Sequence, residues 1–112
     1  MKNKKSALKR KCDRALQEWV TKTYAGCLLC GGIPIVGHHF VRKSNSLALR
    51  YVKENLIPLC VRCHCLIHAQ PAIPTARILR IKGDKWFDRL MTLRQKPVRD
   101  TIKFYQEVLN EL

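Results

Sequence analysis

Residues Glu54–His68 read ENLIPLCVRCHCLIH, and two features of this stretch set the architecture. Leu56 to Leu59 is a short apolar run of the kind that forms a buried strand. The residues after it, VRCHCLIHA, contain neither Gly nor Pro, and they predict a helix from about Val61 to Ala69. Cys60 and Cys63 straddle that junction two residues apart. The same spacing occurs upstream at Cys27 and Cys30, with 29 residues between the two pairs. Each pair presents two thiolates to one tetrahedral ion, and together they complete a closed four-sulfur site. A zinc held there has no open position and is structural, clamping the strand region to the start of the helix. Four unrelated buried cysteines would not fall into two matched pairs. Two cysteines are left over. Cys12 sits on an apolar stripe and suits core packing, while Cys65, beside His64 and Cys63, stays open as an alternative ligand.

The histidines are also grouped. All four lie in two clusters, His38 with His39 and His64 with His68. The second pair is spaced i, i+4, so both rings share one face of the expected helix and can aim at a common ion; one of them can instead contact phosphate.

Outward from this centre the chain, at 112 residues, has the length of one domain. Residues 1–5 are a basic tail expected to lack order. Ser6 is a candidate cap for a helix to about Thr23, whose positions Leu8, Cys12, Ala15, Leu16, Trp19 and Val20 recur at three and four. Its outer face carries Lys9, Arg10, Arg14 and Lys22. From Tyr24 to Val41, glycines and Pro34 break the pattern into a zinc knuckle followed by a strand around Ile33 to Phe40. Residues 42–54 form a basic connection, so the metal-bearing core spans residues 24–70. Pro71 and Pro74 are expected to end the central helix. The rest, residues 71–112, reads as helical: a short segment at Thr75 to Ile81, a helix from an Asp84 cap to about Arg94, and a last helix with Pro97 as its first residue. The fold class is therefore α+β.

Lys and Arg number 22 against 8 Asp and Glu, a formal net charge of +14. Such a surplus favours a polyanion, because each neutralised phosphate releases condensed counterions. No run approaches the 18 apolar residues of a membrane span, and no apolar segment follows the basic start as in a signal peptide. A cytoplasmic protein is expected, and in that compartment six cysteines favour metal over disulfides.

The order Cys27-x2-Cys30, His38-His39, Asn55, Cys60-x2-Cys63-His64 resembles the zinc-bearing HNH endonucleases of the beta-beta-alpha-metal fold. The wider stretch, from CLLCGG through GHHF and LALRYVKENLIPLC, is similar to phage recombination nucleases of the NinG (Rap) type. The resemblance covers about residues 12 to 70. It implies an HNH core flanked by helices, and metal-dependent hydrolysis of DNA to 5′-phosphate and 3′-hydroxyl ends in phage recombination, replication or packaging. By this likeness His39 is the general base, and Asn55 orients it, directly or by fixing the loop between the strands. His38 and His64 hold a catalytic divalent metal, with His68 a third ligand or a phosphate contact. Arg42, Lys43, Arg50 and Arg62 are the expected backbone contacts, Arg50 and Arg62 foremost.

The chain departs from the family at His38, where many members have Asp. Imidazole suits Mn²⁺, Ni²⁺ or Zn²⁺ better than Mg²⁺, which prefers oxygen. The expected partner is duplex or branched DNA, and a homodimer would suit symmetric cutting. A non-catalytic zinc-ribbon module accounts for the charge and the cysteines equally well, but leaves the histidines and Asn55 unexplained. A protein-interaction adaptor built on the C-terminal helices is the weaker third reading.

Overall fold

The computed structural model describes residues 3–112. In chain order these form α1 (Lys4–Thr23), β1 (Ile35–His39), a one-turn α2 (Leu47–Arg50), a 3-10 turn at Lys53–Asn55, β2 (Leu56–Cys60), α3 (Val61–Ala69), α4 (Ala72–Lys82), α5 (Asp84–Arg94) and α6 (Ile102–Glu111). The class is α+β, with a two-stranded antiparallel sheet. No helix among the described residues is long and apolar enough to cross a membrane.

Cys12, Leu16 and Val20 of α1 are buried against Leu56, Ile57 and Leu59 of β2. Ile67, Ile78 and Tyr105 complete that core from α3, α4 and α6. Each large apolar side chain taken out of water there contributes about 1.5–3 kcal/mol. Cys12 has the packing role expected of it, with its thiol donating to the Tyr105 carbonyl at 3.3 Å.

The sheet keeps its register through one residue pair. Pro58 has no N–H, so it belongs where the ladder needs none, and it stands opposite Gly37. Gly37 correspondingly turns its own polar groups outward, to the side chain of Gln17 on α1. Its N–H donates to Gln17 Oε1 at 2.7 Å, and its carbonyl accepts from Gln17 Nε2 at 2.9 Å. On the other edge, the Pro58 carbonyl accepts from Leu28 N–H at 2.8 Å. A two-stranded sheet has two open edges, and here each is covered by a neighbouring segment.

Several boundaries differ from those expected. Asn3, not Ser6, caps α1, accepting from Ser6 N–H at 2.7 Å, so residues 3–5 belong to the helix start rather than to a tail; residues 1 and 2 lie outside the described region. Pro71 does follow the end of α3, but Pro74 sits inside the first turn of α4, where the missing N–H has no helical acceptor to lose. Asp84 is the first residue of α5 rather than its cap, because Gly83, at φ +88°, makes the turn. Pro97 does not start the last helix. Thr101 does, through a hydroxyl that accepts from Phe104 N–H at 3.1 Å, while the preceding Asp100 is held by Tyr105 and Lys5.

A methyl group at Gly37 would come within 2.9 Å of both Leu56 Cδ1 and Val20 Cγ2. Gly37→Ala should therefore force α1 off the strand and destabilise the fold by roughly 1–3 kcal/mol, read as a lower urea midpoint.

Candidate metal centres

Cys60 does two structural jobs. It ends β2 and caps α3, its sulfur accepting from Cys63 N–H at 3.4 Å, so strand passes to helix with no loop between. The first knuckle is a tighter turn: Cys27 N–H donates to the Gly32 carbonyl, Gly31 N–H to the Cys27 carbonyl, and Gly32 N–H to Cys30 Sγ at 3.4 Å. Gly31 has φ +76°, a conformation that favours glycine. The Leu28–Pro58 hydrogen bond then docks this knuckle on β2.

The result is four sulfurs, those of Cys27, Cys30, Cys60 and Cys63, within 4.8 Å of one another. Tetrahedral zinc with bonds near 2.3 Å places its sulfurs about 3.8 Å apart. The Cys30–Cys60 separation of 3.5 Å is close to that, so the four cysteines fit a structural metal such as zinc. Burial raises the Cys27 thiol, but backbone amides at Cys60, Cys30 and Leu29 outweigh it and bring it down to about 7. The Cys63 amide lowers Cys60. Cys63 goes the other way, up to about 12, through burial and the surrounding sulfurs. Four thiolates repel in so small a space, and a cation removes the conflict. Cys65 is exposed and stands outside the cluster.

The second cluster is built across the sheet–helix boundary. Adjacent strand residues point to opposite faces. His38 points toward α3, with ring centroids 5.3 Å from His64 and 5.4 Å from His68. Ring nitrogens of the three lie within 4.8 Å of one another. The Nε2 atoms of His64 and His68 are 3.0 Å apart, and metal–nitrogen bonds near 2.1 Å require about 3.0–3.4 Å. The donor set fits one divalent ion of the imidazole-preferring kind. Burial, followed by the neighbouring His64, His68, His39 and Arg42, lowers His38 to about 4. Burial and His68 lower His64. These rings are thus kept neutral, the form that ligates.

His39 turns to the other side. Its Nε2 lies 2.9 Å from the Arg50 carbonyl, which can only accept, so Nε2 carries the proton and Nδ1 keeps its lone pair. Burial lowers its pKa by more than the hydrogen bond to the Arg50 carbonyl raises it, and the charges of Lys43 and the Arg50 guanidinium add to the lowering. Asn55 does not touch it. The Asn55 side chain, fully buried, accepts from Val41 N–H at 2.9 Å and donates to the carbonyls of Val41 and Leu49. Of the two roles expected for it, the geometry has the second: it ties both ends of the loop that carries Arg50. Its own position is braced by α5, where Trp86 Nε1 donates to the Glu54 carbonyl and Arg89 pairs with the Glu54 carboxylate.

His38, His39, His64 and His68 all line one open cavity of about 390 Å³, together with Gln17, Gly37, Arg42, Lys43 and Ser44. Arg42 and Lys43 are thus at the cavity as expected. Arg62 is not: two residues before His64, it lies about 200° round α3 and faces solvent away from the imidazoles. Arg50 is not free either. Its Nε and Nη2 bond Asp13 Oδ1 and Oδ2 at 3.0 and 2.8 Å. Gln17 and Asp13 are positions that the sequence does not single out. Nothing in the pattern of α1 marks them, beyond polar residues flanking the apolar stripe.

Compared with protein-family models, curated proteins and solved structures, the chain matches none.

Zinc removal by a strong chelator should abolish cooperative thermal unfolding, and Cys60→Ser should do the same without chelator; a sharp transition surviving either would contradict a structural ion. A second expectation concerns pH. His38 is neutral in the fold down to about 4, whereas in an unfolded chain it takes up a proton near pH 6.5. The unfolded state therefore binds more protons across that window, and stability should fall as pH drops from about 6.5 toward 4. His38→Asn should reduce this dependence, leaving the part due to His39 and His64, measured by urea denaturation at pH 7 and pH 5.

Proposed function

We propose that the protein is a metal-dependent DNA endonuclease of the HNH, beta-beta-alpha-metal type. One observation carries the reading: three imidazoles converge on a cavity whose wall also holds His39 with its Nδ1 lone pair unengaged by the Arg50 carbonyl. A ligand trio and a separately oriented base are what hydrolysis of a phosphodiester needs, and a zinc ribbon that only binds nucleic acid needs neither.

In this reading His38, His64 and His68 hold a catalytic divalent ion. When bound, the ion would neutralise charge on a phosphate oxygen and on the leaving oxygen. His39 Nδ1 takes the proton from the attacking water. The Arg50 carbonyl keeps the correct tautomer and steadies the imidazolium that forms. Asn55 holds the loop that presents that carbonyl. Arg42 and Lys43, exposed at the cavity, contact the phosphates on either side of the scissile bond, and neither has an acidic partner among the described residues.

The charge distribution supports a nucleic-acid partner on this side. Residues 1–83 carry 16 Lys and Arg against 3 Asp and Glu, whereas residues 84–112 carry 6 against 5. Nearly all the surplus is on the part of the chain that builds the two metal centres. Branched DNA handled in phage recombination, in the cytoplasm of the host, is the substrate that the NinG likeness favours.

Purified protein should nick or cut plasmid DNA with divalent metal, and His39→Ala should lower the rate by about 10²–10⁴ while retaining DNA binding. Mn²⁺ or Ni²⁺ should outperform Mg²⁺ at equal concentration, because the ligands are nitrogen. Linear, nicked and four-way-junction DNA compared side by side identifies the substrate form. Absence of cleavage with every metal would favour the non-catalytic zinc ribbon.

A further inference from the structure

We infer that the ion pair between Asp13 on α1 and Arg50 on α2 is a positioning device for the catalytic base, acting through the Arg50 backbone; this rests on the nuclease reading above. Arg50 has two ends with different duties. Its guanidinium is bound in a fork by the Asp13 carboxylate, at 3.0 and 2.8 Å, with the Arg50 side chain only 13% exposed. Its carbonyl, at the last residue of a one-turn helix, has no helical N–H ahead of it and takes the His39 Nε2–H at 2.9 Å instead. A bidentate Arg–carboxylate pair fixes direction as well as distance. Gripping the side chain therefore sets where the carbonyl of the same residue points.

The turn needs that grip. The loop from residue 40 to residue 55 contains only one helical turn and a 3-10 turn. Asn55 holds it at Val41 and at the Leu49 carbonyl, both of which precede Arg50, and not at Arg50 itself. The Asp13 carboxylate supplies the missing anchor from α1. The same helix, one turn further on, clamps Gly37 through Gln17 two residues before His39. One face of α1 thus locates both the strand that carries the base and the carbonyl that orients it. Asp13 and Arg50 neither line the cavity nor belong to the imidazole trio, and the contact that links them to it is the one from the Arg50 carbonyl to His39.

This assigns Arg50 a role opposed to that of a phosphate contact, and the two are separable. Asp13→Ala, Arg50→Ala and the double variant, each zinc-loaded, are assayed on plasmid with Mn²⁺. If the pair acts as a unit, all three lose kcat by the same factor, about ten- to a hundredfold, with KM unchanged and no further loss in the double variant. A rise in KM confined to Arg50→Ala, with Asp13→Ala near wild type, would make Arg50 a substrate contact and overturn the inference. A second readout does not depend on cleavage. Nitrogen NMR of the His39 ring should report a single Nε2–H tautomer in the wild type and a mixture in Asp13→Ala and in the milder Asp13→Asn. An unchanged tautomer in the folded variants, even with lowered thermal stability, would reduce the pair to a structural tie and overturn the inference. If the wild type cleaves no DNA, the nuclease reading fails, and the tautomer result still decides whether the pair orients His39.

Discussion

Two segments separated by almost 30 residues, Cys27–Cys30 and Cys60–Cys63, must meet with their sulfurs at metal-ligand distance, and most of the structure is organised by that requirement. Cys60 is the pivot. Because it closes β2 and caps α3 at once, the direction of the helix is set by the last residue of the strand. His64 follows Cys63 directly, and His68 lies one turn beyond. The ion that the four sulfurs suit would therefore fix the first turn of α3 and, with it, the height at which these rings meet His38. A chain of this size buries a limited core, and a metal cross-link at this junction would add to it.

The sheet is as small as a sheet can be, and its stability is borrowed from what surrounds it. Pro58 and Gly37 face each other where the ladder makes no bond, and the polar groups left over are taken by Gln17 and Leu28. Close approach of α1 follows from the absence of a side chain at Gly37. This economy has a consequence for chemistry. With no further strand beside β1, His38 and His39 can each reach a different neighbour, one α3 and the other the α2 turn, while both stay on the wall of one cavity.

Electrostatics and hydrogen bonding divide the four imidazoles into roles. Burial and mutual proximity favour the neutral form of His38 and His64, the form that is able to bind a metal. His39 is set apart by a carbonyl that can only accept, which settles the position of its proton without any charged neighbour in direct contact. Positive charge gathers at the cavity rim in Arg42 and Lys43, while Arg50, one loop away, is neutralised by Asp13. The same residue type thus serves the surface at one position and the frame at another, according to whether a carboxylate is within reach.

Spacing along the chain suffices for the parts whose signal is local. The paired cysteines, the α3 boundaries from Val61 to Ala69, the i, i+4 histidines and the α+β class all follow from spacing and short-range periodicity. The starts of α1 and α6 are not legible in the same way, since Ser6 and Pro97 are acceptable at a helix start and only the competing caps Asn3 and Thr101 decide. The rest follows only from the folded chain. That Asn55 ties the loop rather than the base, that Arg50 belongs to Asp13 and that Gln17 completes the edge of β1 depend on contacts across 14 to 37 residues of chain. A polar residue beside an apolar stripe looks the same in sequence whether its partner is water or a distant backbone, because only the folded chain brings that partner within hydrogen-bond range.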